Sequence, residues 1–278
     1  MQSADDLSRW SWPQVAGATF VRDMWIATSY RIGFVVSVAA AILNLLNVFF
    51  LSSAVGTGLS ADVARYGGSY FGFAVVGVAL ASFMAVGVTG ISARIREGQM
   101  MGTLELMLLS PNRLGVVLAS SSLWGHSQAL VTLLVYLVVG TLLGMDAHAA
   151  NIPMTILSLA LAVVSFNALG LLAASFVIII KQGNPVALLL GFASVLLSGV
   201  LYPTSVLPEW LRAIGQFLPL THALELIRRS MLQGDGLGEL WPTFLGLAGL
   251  TAVLLPLGLC ACHVAVRIAQ TDGSLSHY

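Results

Sequence analysis

The sequence predicts an all-α polytopic membrane protein, and three observations predict it. The first is composition. Of 278 residues, 58% are hydrophobic and 9% charged, against about 25% charged in ordinary soluble domains. So few charges cannot cover a water-facing surface, and lipid is the solvent that suits such a chain. The second is pattern. Six apolar runs reach the length of about 20 residues that crosses about 30 Å of hydrocarbon as a helix. The third is a mean hydropathy of +0.92 over the whole chain. Backbone groups in hydrocarbon must satisfy one another, so each run is read as a helix and no strand is expected.

The chain reads as a single transmembrane domain over residues 1–278. Residues 1–31 form an interfacial N-terminal segment, 32–268 a six-helix bundle and 269–278 a tail. The start lacks the basic stretch and short apolar core of a signal peptide, so it is expected to stay on the mature chain. Over residues 8–30, Trp10, Trp12, Phe20, Trp25 and Tyr30 mix with Arg9, Arg22 and Asp23. Trp and Tyr favour the headgroup layer, and the stretch is read as an amphipathic helix lying in that plane. A loosely ordered aromatic tail is the alternative.

The spans are expected at 32–53, 69–93, 114–144, 152–180, 184–203 and 242–268. The third and fourth exceed the minimum length, so they tilt or project. Six spans put both termini on one side of the membrane. That side carries Arg9, Arg22, Arg31, Arg94, Arg96, Arg113, Lys181 and Arg267, against Arg65, Arg212, Arg228 and Arg229 on the other. Basic residues in short loops face the cytoplasm, which places the N- and C-termini there, in a cell inner (plasma) membrane.

Several classes are disfavoured. Net charge is zero, so there is no basic footprint for nucleic acid. Cys260 and Cys262 give no disulfide framework. With His263 they make no convincing metal cluster, because helix positions two apart point to nearly opposite sides. No Ser/His/Asp set or carboxylate pair marks an intramembrane active site. Asp146 and His148 share a short outer turn, where solvated polarity is the default.

Between spans two and three, "REGQMMGTLELMLLSPNR" interrupts the apolar pattern. Ile95 to Leu109 is rich in helix formers, and Ser110-Pro111 stops it. Met100, Met101, Leu104, Met107 and Leu108 recur near helical spacing and make an apolar stripe, with Glu97 and Glu105 off it. Such a ridge suits a groove on another protein, and Met is adaptable at such surfaces. A helix lying on the membrane fits the same spacing.

This segment resembles the one between spans two and three of the type-2 ABC exporter permeases, a family of drug, lipid and polysaccharide export proteins. The resemblance rests on Arg96-Glu97, Gly102-Thr103-Leu104-Glu105, Leu108-Leu109 and Ser110-Pro111. A second stretch, "SGVLYPTSVLPEWLRAIGQFLPLTHALELIRRSML", is similar to the family's segment after span five. It carries Gly199, Pro203, Pro208, Pro219-Leu220-Thr221 and Arg228. In one respect the chain departs: four residues separate Glu97 from Gly102, where the family spacing is often shorter.

The resemblance implies a cytoplasmic coupling helix at Arg96, Glu97, Gly102, Thr103, Leu104, Glu105, Leu108, Ser110 and Pro111. It also implies two short re-entrant outer helices between spans five and six. Pro203 is expected to end span five. Pro208 suits the first turn of the first short helix, with Glu209 near its positive end. Thr221 is expected to cap the second, 222–233, and Gly234 to end it. A plain outer loop is the alternative.

In this family ATP and Mg bind a separate cytoplasmic ATPase subunit. Two copies of it would work with two permease copies, as a homodimer or with a related second permease, amid membrane lipid. The residues agree. Lys181 is the one lysine, in "IIKQGNP", and no Gly-x-x-x-x-Gly-Lys-Ser/Thr phosphate loop is present. The implied cargo is amphipathic: a drug, an antibiotic, a lipid or a lipid-linked glycan.

Polar groups within the spans have two readings each. Asn44 and Asn47, three apart on one face, line the cargo path or the dimer seam, or bond to a neighbouring helix. Gly199, Tyr202 and Pro203 belong to the same cargo-path or seam reading. His126 relays protons or is bonded within the bundle. Gly68, Gly72, Gly77, Gly87 and Gly90 let helices approach closely. A freestanding secondary transporter using His126 or Glu225 is the competing function, and it would need acidic groups deep in the spans.

Overall fold

The computed structural model describes residues 12–29, 31–55, 63, 66, 69–102, 120, 122–146, 149–180 and 185–271. Among these residues the chain is helical, with no strand. Its elements are α1 (Trp12–Ser29), α2 (Arg31–Val55), α3 (Tyr70–Met100), α4 (Leu123–Leu142), α5 (Ile152–Ile180) and α6 (Pro185–Leu197). A 3-10 turn at Thr204–Val206 leads to α7 (Glu209–Gly215), α8 (Pro219–Arg228), a π turn (Arg229–Gln233) and α9 (Leu237–Thr271).

Among the described residues, five helices are long and apolar enough to cross a membrane: α2, α3, α4, α5 and α9. α5 occupies the run 152–180 expected for span four, and α2 extends the first run by a residue or two at each end. α3 and α9 overrun their expected limits. Its 31 residues make α3 about 46 Å long at 1.5 Å per residue, so it projects beyond the hydrocarbon.

The fifth run behaves differently. α6 has 13 residues, about 20 Å, short for a full span, yet the chain passes from Leu188, beside Met100, to Val200, beside Gly77, and so runs from one end of α3 toward the other. The expected stop at Pro203 is overturned. The helix ends at Leu197, and Gly199 follows with φ +73°, a conformation that glycine adopts at no steric cost.

α5 is the hub, packed against α3 and α9. Glycines set the closeness. A Cβ on Gly170 would lie 2.1 Å from the Gly87 carbonyl oxygen, and one on Gly87 would lie 2.6 Å from Phe166 Cβ. Gly258 brings α9 near the Ala168 carbonyl, whose oxygen would lie 2.8 Å from a Cβ there. The expectation of glycine packing therefore holds at Gly77 and Gly87. It fails at Gly90, where a Cβ would meet nothing within 4 Å. Gly68 lies outside the described residues.

Three apolar clusters fill the bundle. The largest joins Val76, Met84, Phe166, Leu224 and Leu247. A second, around Ile91, Ile95, Val177 and Ala265, lies at the Met100 end of α3. A third seats α2 on α3 and α4 through Leu45, Val48, Phe71 and Tyr136.

Candidate functional site

Two ends of α3 concentrate polar chemistry. At the Met100 end, α3 continues past the apolar run because Ile91 and Ile95 stay buried against α5 and α9. Gln99 is buried too, its Nε2 donating to the Val177 carbonyl at 3.4 Å. On another face, Arg94 Nη2 donates to Asp23 Oδ2 at 2.9 Å, and Nη1 to Glu97 Oε2 at 3.1 Å. Asp23 Oδ1 accepts from Arg22 at 2.8 Å. Asp23 is buried, so one carboxylate between two guanidiniums pins α1 to the end of α3. The outer pairs, to Arg22 and Glu97, are half exposed and contribute little by themselves.

The aromatic expectation for α1 is partly changed. Phe20 turns inward onto the Trp124 ring of α4, centroids 5.5 Å apart, while Trp25 is exposed. Trp10 and Tyr30 lie outside the described residues.

α3 closes with the Met101 N–H donating to Glu97 and the Gly102 N–H to Gln99. Gly102 then takes φ +67°. The single helix expected over Ile95–Leu109 is thus interrupted: its first six residues belong to α3, and the turn comes at Gly102. Met100 and Met101 project outward at 77% and 68% exposure. Arg96, Glu97 and Gly102 fall together here. Thr103, Leu104, Glu105, Leu108, Ser110 and Pro111 lie outside the described residues. A mostly apolar groove of about 660 Å3 runs from Thr89 to Met101 of α3 and reaches Leu188 of α6.

At the opposite end, the break after α6 leaves carbonyls that no helix satisfies. Arg228 of α8 answers them. Its Nη1 donates to Gly199 O at 3.0 Å, Nη2 to Val200 O at 2.8 Å and Nε to Phe73 O at 3.2 Å. Its guanidinium lies 3.4 Å from the Phe73 ring centroid. Non-helical backbone at membrane depth is tolerated where protein satisfies it, and the fixed fork of an Arg side chain can serve three carbonyls at once.

Arg228 was counted from the sequence as a loop charge. It is buried. The signal was present in its spacing, four residues after Leu224 and beside Ile227, on the buried face of α8.

Beside Arg228, the Tyr66 hydroxyl donates to Glu225 Oε2. These groups border a cavity of about 210 Å3 that Pro203 also lines. Tyr202 donates to the Leu196 carbonyl, closing the turn around Gly199.

The second short helix differs from expectation. It begins at Pro219, which occupies the first helical position with Leu218 before it. Thr221 is therefore one turn inside and is no cap. Its hydroxyl bonds to Gly215 O at 2.6 Å and Ser198 Oγ at 3.0 Å, tying α8 to the ends of α6 and α7. The first short helix follows Pro208 as expected, and Gly234 ends the second with φ +80°. The Asn151 N–H donates to Ser230 O at 2.8 Å, fastening the start of α5 to the π turn.

Asn44 and Asn47 are both exposed on α2. His126 places Nδ1 2.8 Å from the Ser122 carbonyl of its own helix, while Nε2 is buried without a partner among the described residues. The described residues hold no group of three His, Cys, Asp or Glu that could bind a metal.

Long apolar helices around a buried hub, with short helices folded back at one end, define a polytopic membrane protein. Residues 57–260 match the family described as ABC-2 family transporter protein, and the chain belongs to that family. It is 27% identical over 226 residues to Nodulation protein J of Sinorhizobium fredii, covering 77% of this chain and 83% of that protein. Against Nodulation protein J of Rhizobium leguminosarum bv. trifolii the figures are 30% over 220 residues, 75% and 81%. Against the inner membrane transport permease YhhJ of Escherichia coli they are 25% over 213 residues, 75% and 54%, so this chain spans about half the length of that permease. It is accordingly a membrane component of an ABC transporter, a transport subunit of a family that normally pairs with a cytoplasmic ATPase subunit.

Proposed function

We propose that this chain is the permease of an ATP-driven exporter, with both termini in the cytoplasm of an inner-membrane complex. It moves an amphipathic cargo outward, the class that the names of its relatives leave open. One observation carries the reading: α3 runs as one helix from the cavity beside Arg228 to the exposed Met100–Met101 pair. A push at one end of such a helix reaches the other without passing through a flexible joint.

The segment from Arg96 through Pro111, which includes Glu97, Gly102, Thr103, Leu104, Glu105, Leu108 and Ser110, is then the ATPase contact. ATP and Mg sit on two ATPase copies. Two permease copies complete the complex, as a homodimer or a related heterodimer. Asn44 and Asn47 support the pairing. Amides exposed on a lipid-facing helix are costly, and a second copy or a wet cargo path would satisfy them. Gly199, Tyr202 and Pro203 lie where that path would leave the bundle. The whole of 1–278 works as one transmembrane domain.

The test is co-purification of an ATPase with wild-type and Leu104→Asp chains, alongside transport in vesicles. A charge in an apolar docking surface costs several kcal/mol, so partner retention should fall by more than about tenfold. Full retention of partner and transport would reduce the segment to a membrane-surface helix. A secondary transporter would keep transport with no ATPase bound.

A further inference from the structure

The cavity beside Arg228 is unlike the rest of the bundle, because its charges are already spent. The guanidinium lies over Phe73 and gives hydrogen bonds to three carbonyls. Glu225, three residues earlier on the same helix, accepts from the Tyr66 hydroxyl. The pair compensates itself, which removes the net charge that would select an ion. The remaining lining includes hydroxyl-bearing side chains and the His222 ring, whose Nε2 lies 2.9 Å from the Gln216 carbonyl oxygen. The hydroxyls of Thr204, Ser205 and Thr243 line the cavity and bond to no other described residue. Each can donate and accept. The second oxygen of Glu225 is also uncommitted among the described residues.

Tyr66 also lines the space, its ring 5.4 Å from that of Phe73, which is itself buried with the Arg228 guanidinium over its face. At about 210 Å3 the space falls below the roughly 300–1,000 Å3 of drug-sized ligand sites, so it takes one ring or headgroup. Shortly after the lining residues Thr204 and Ser205 in sequence, Val206 and Trp210 are exposed apolar side chains.

We propose that this cavity is a binding site for an uncharged, hydroxyl-rich group of one ring. Donor-acceptor hydroxyls read its hydroxyls, and the Tyr66 ring borders its carbon face. Such a group reaches the site as a free polyol or as the headgroup of a neutral lipid whose tails lie along Val206 and Trp210. The proposal stands whether or not an ATPase drives the protein.

The full chain in phosphatidylcholine nanodiscs would be titrated with methyl β-glucoside and myo-inositol. Phosphate and tetramethylammonium are the charged comparators. Saturable ligand-observed NMR is the readout, because polyols stabilise any protein nonspecifically. Saturable binding of at least one neutral probe and of neither ion is expected. The Thr204→Val/Ser205→Ala/Thr243→Val variant should weaken it by about tenfold or more, the loss of two or three hydrogen bonds.

If that variant does not fold, Thr243→Val alone is read, with a several-fold loss expected. Discs doped with a glucosyl diacylglycerol separate the sources. Competition with methyl glucoside assigns a lipid headgroup, and lack of competition assigns the free polyol. Absence of saturable neutral binding overturns the proposal. Equal binding of an ion does so too, as does unchanged affinity in a well-folded variant.

Discussion

Arg228 reaches the Val200 carbonyl across the backbone of Gly77. A Cβ at residue 77 would lie 2.1 Å from that oxygen and 2.7 Å from Arg228 Nη2. The glycine of one helix and the arginine of another thus share one small volume. The first supplies the opening, and the second fills it with donors for carbonyls that the break after α6 leaves behind.

Gly77→Ala should therefore destabilise the fold by more than the about 1–3 kcal/mol of ordinary overpacking, because the atoms in the way are backbone and a committed guanidinium. Gly90→Ala is the control on the same helix. It meets nothing within 4 Å and gains helix propensity of up to about 1 kcal/mol. Melting followed by size-exclusion fluorescence should separate them in opposite directions. A Gly77→Ala chain as stable as wild type would mean that α8 sits farther from α3.

Arg228→Met fills much of the same volume and removes every donor. The Gly199 and Val200 carbonyls lose their partner, at about 1–3 kcal/mol for each that stays buried without one, while the Phe73 carbonyl keeps its place in the α3 helix. Arg228→Lys keeps the charge but has no planar fork, so it should recover only part of the loss. The expected order of melting temperatures is wild type, then Lys, then Met. Equal stability of Lys and wild type would show that charge alone matters at this position.

Much of this architecture is legible in the sequence, for a plain reason. Continuous apolarity over about 20 residues leaves helix as the only backbone solution. That is why 152–180 is helical from end to end. Hydropathy cannot see where a helix stops when the residues beyond it are equally apolar. Leu197 to Pro203 stays greasy while the backbone turns at Gly199, so span five reads too long.

At the Met100 end, helix formers lie on both sides of Gly102, and only its positive φ breaks the run. Thr221 was misread because Pro219 can open a helix as readily as follow one. The Arg22–Asp23–Arg94 arrangement was beyond reach, since it joins residues 71 apart.

Orientation has a direct check. Gln99 is a poor reporter because its side chain is buried, whereas Met101 is 68% exposed, and Glu209 is exposed at the opposite end. In a background with Cys260 and Cys262 replaced by Ala, Met101→Cys should react with an impermeant thiol reagent only in permeabilised cells or inverted vesicles. Glu209→Cys should react in intact cells. The reverse pattern would remove the Met100 end from reach of any cytoplasmic ATPase.

Under the proposed coupling, a push on the following segment would enter α3 at Gly102, and its φ of +67° makes that testable. A left-handed conformation costs an ordinary L-residue about 1–2 kcal/mol, most for β-branched side chains and least for Asn. A Cβ there meets nothing within 4 Å, so substitution strains the turn without crowding the bundle.

Gly102→Val should shift the turn toward continued helix and re-aim the residues after it, while Gly102→Asn should keep the bend. Both chains should melt within about 1 kcal/mol of each other once inserted, since the bundle is untouched. They should differ in work. The Asn variant should retain partner and transport, and the Val variant should lose transport per ATP hydrolysed by several-fold. Reconstituted vesicles read both quantities at once. Equal coupling in the two variants would mean that the bend at Gly102 only ends α3 and transmits nothing.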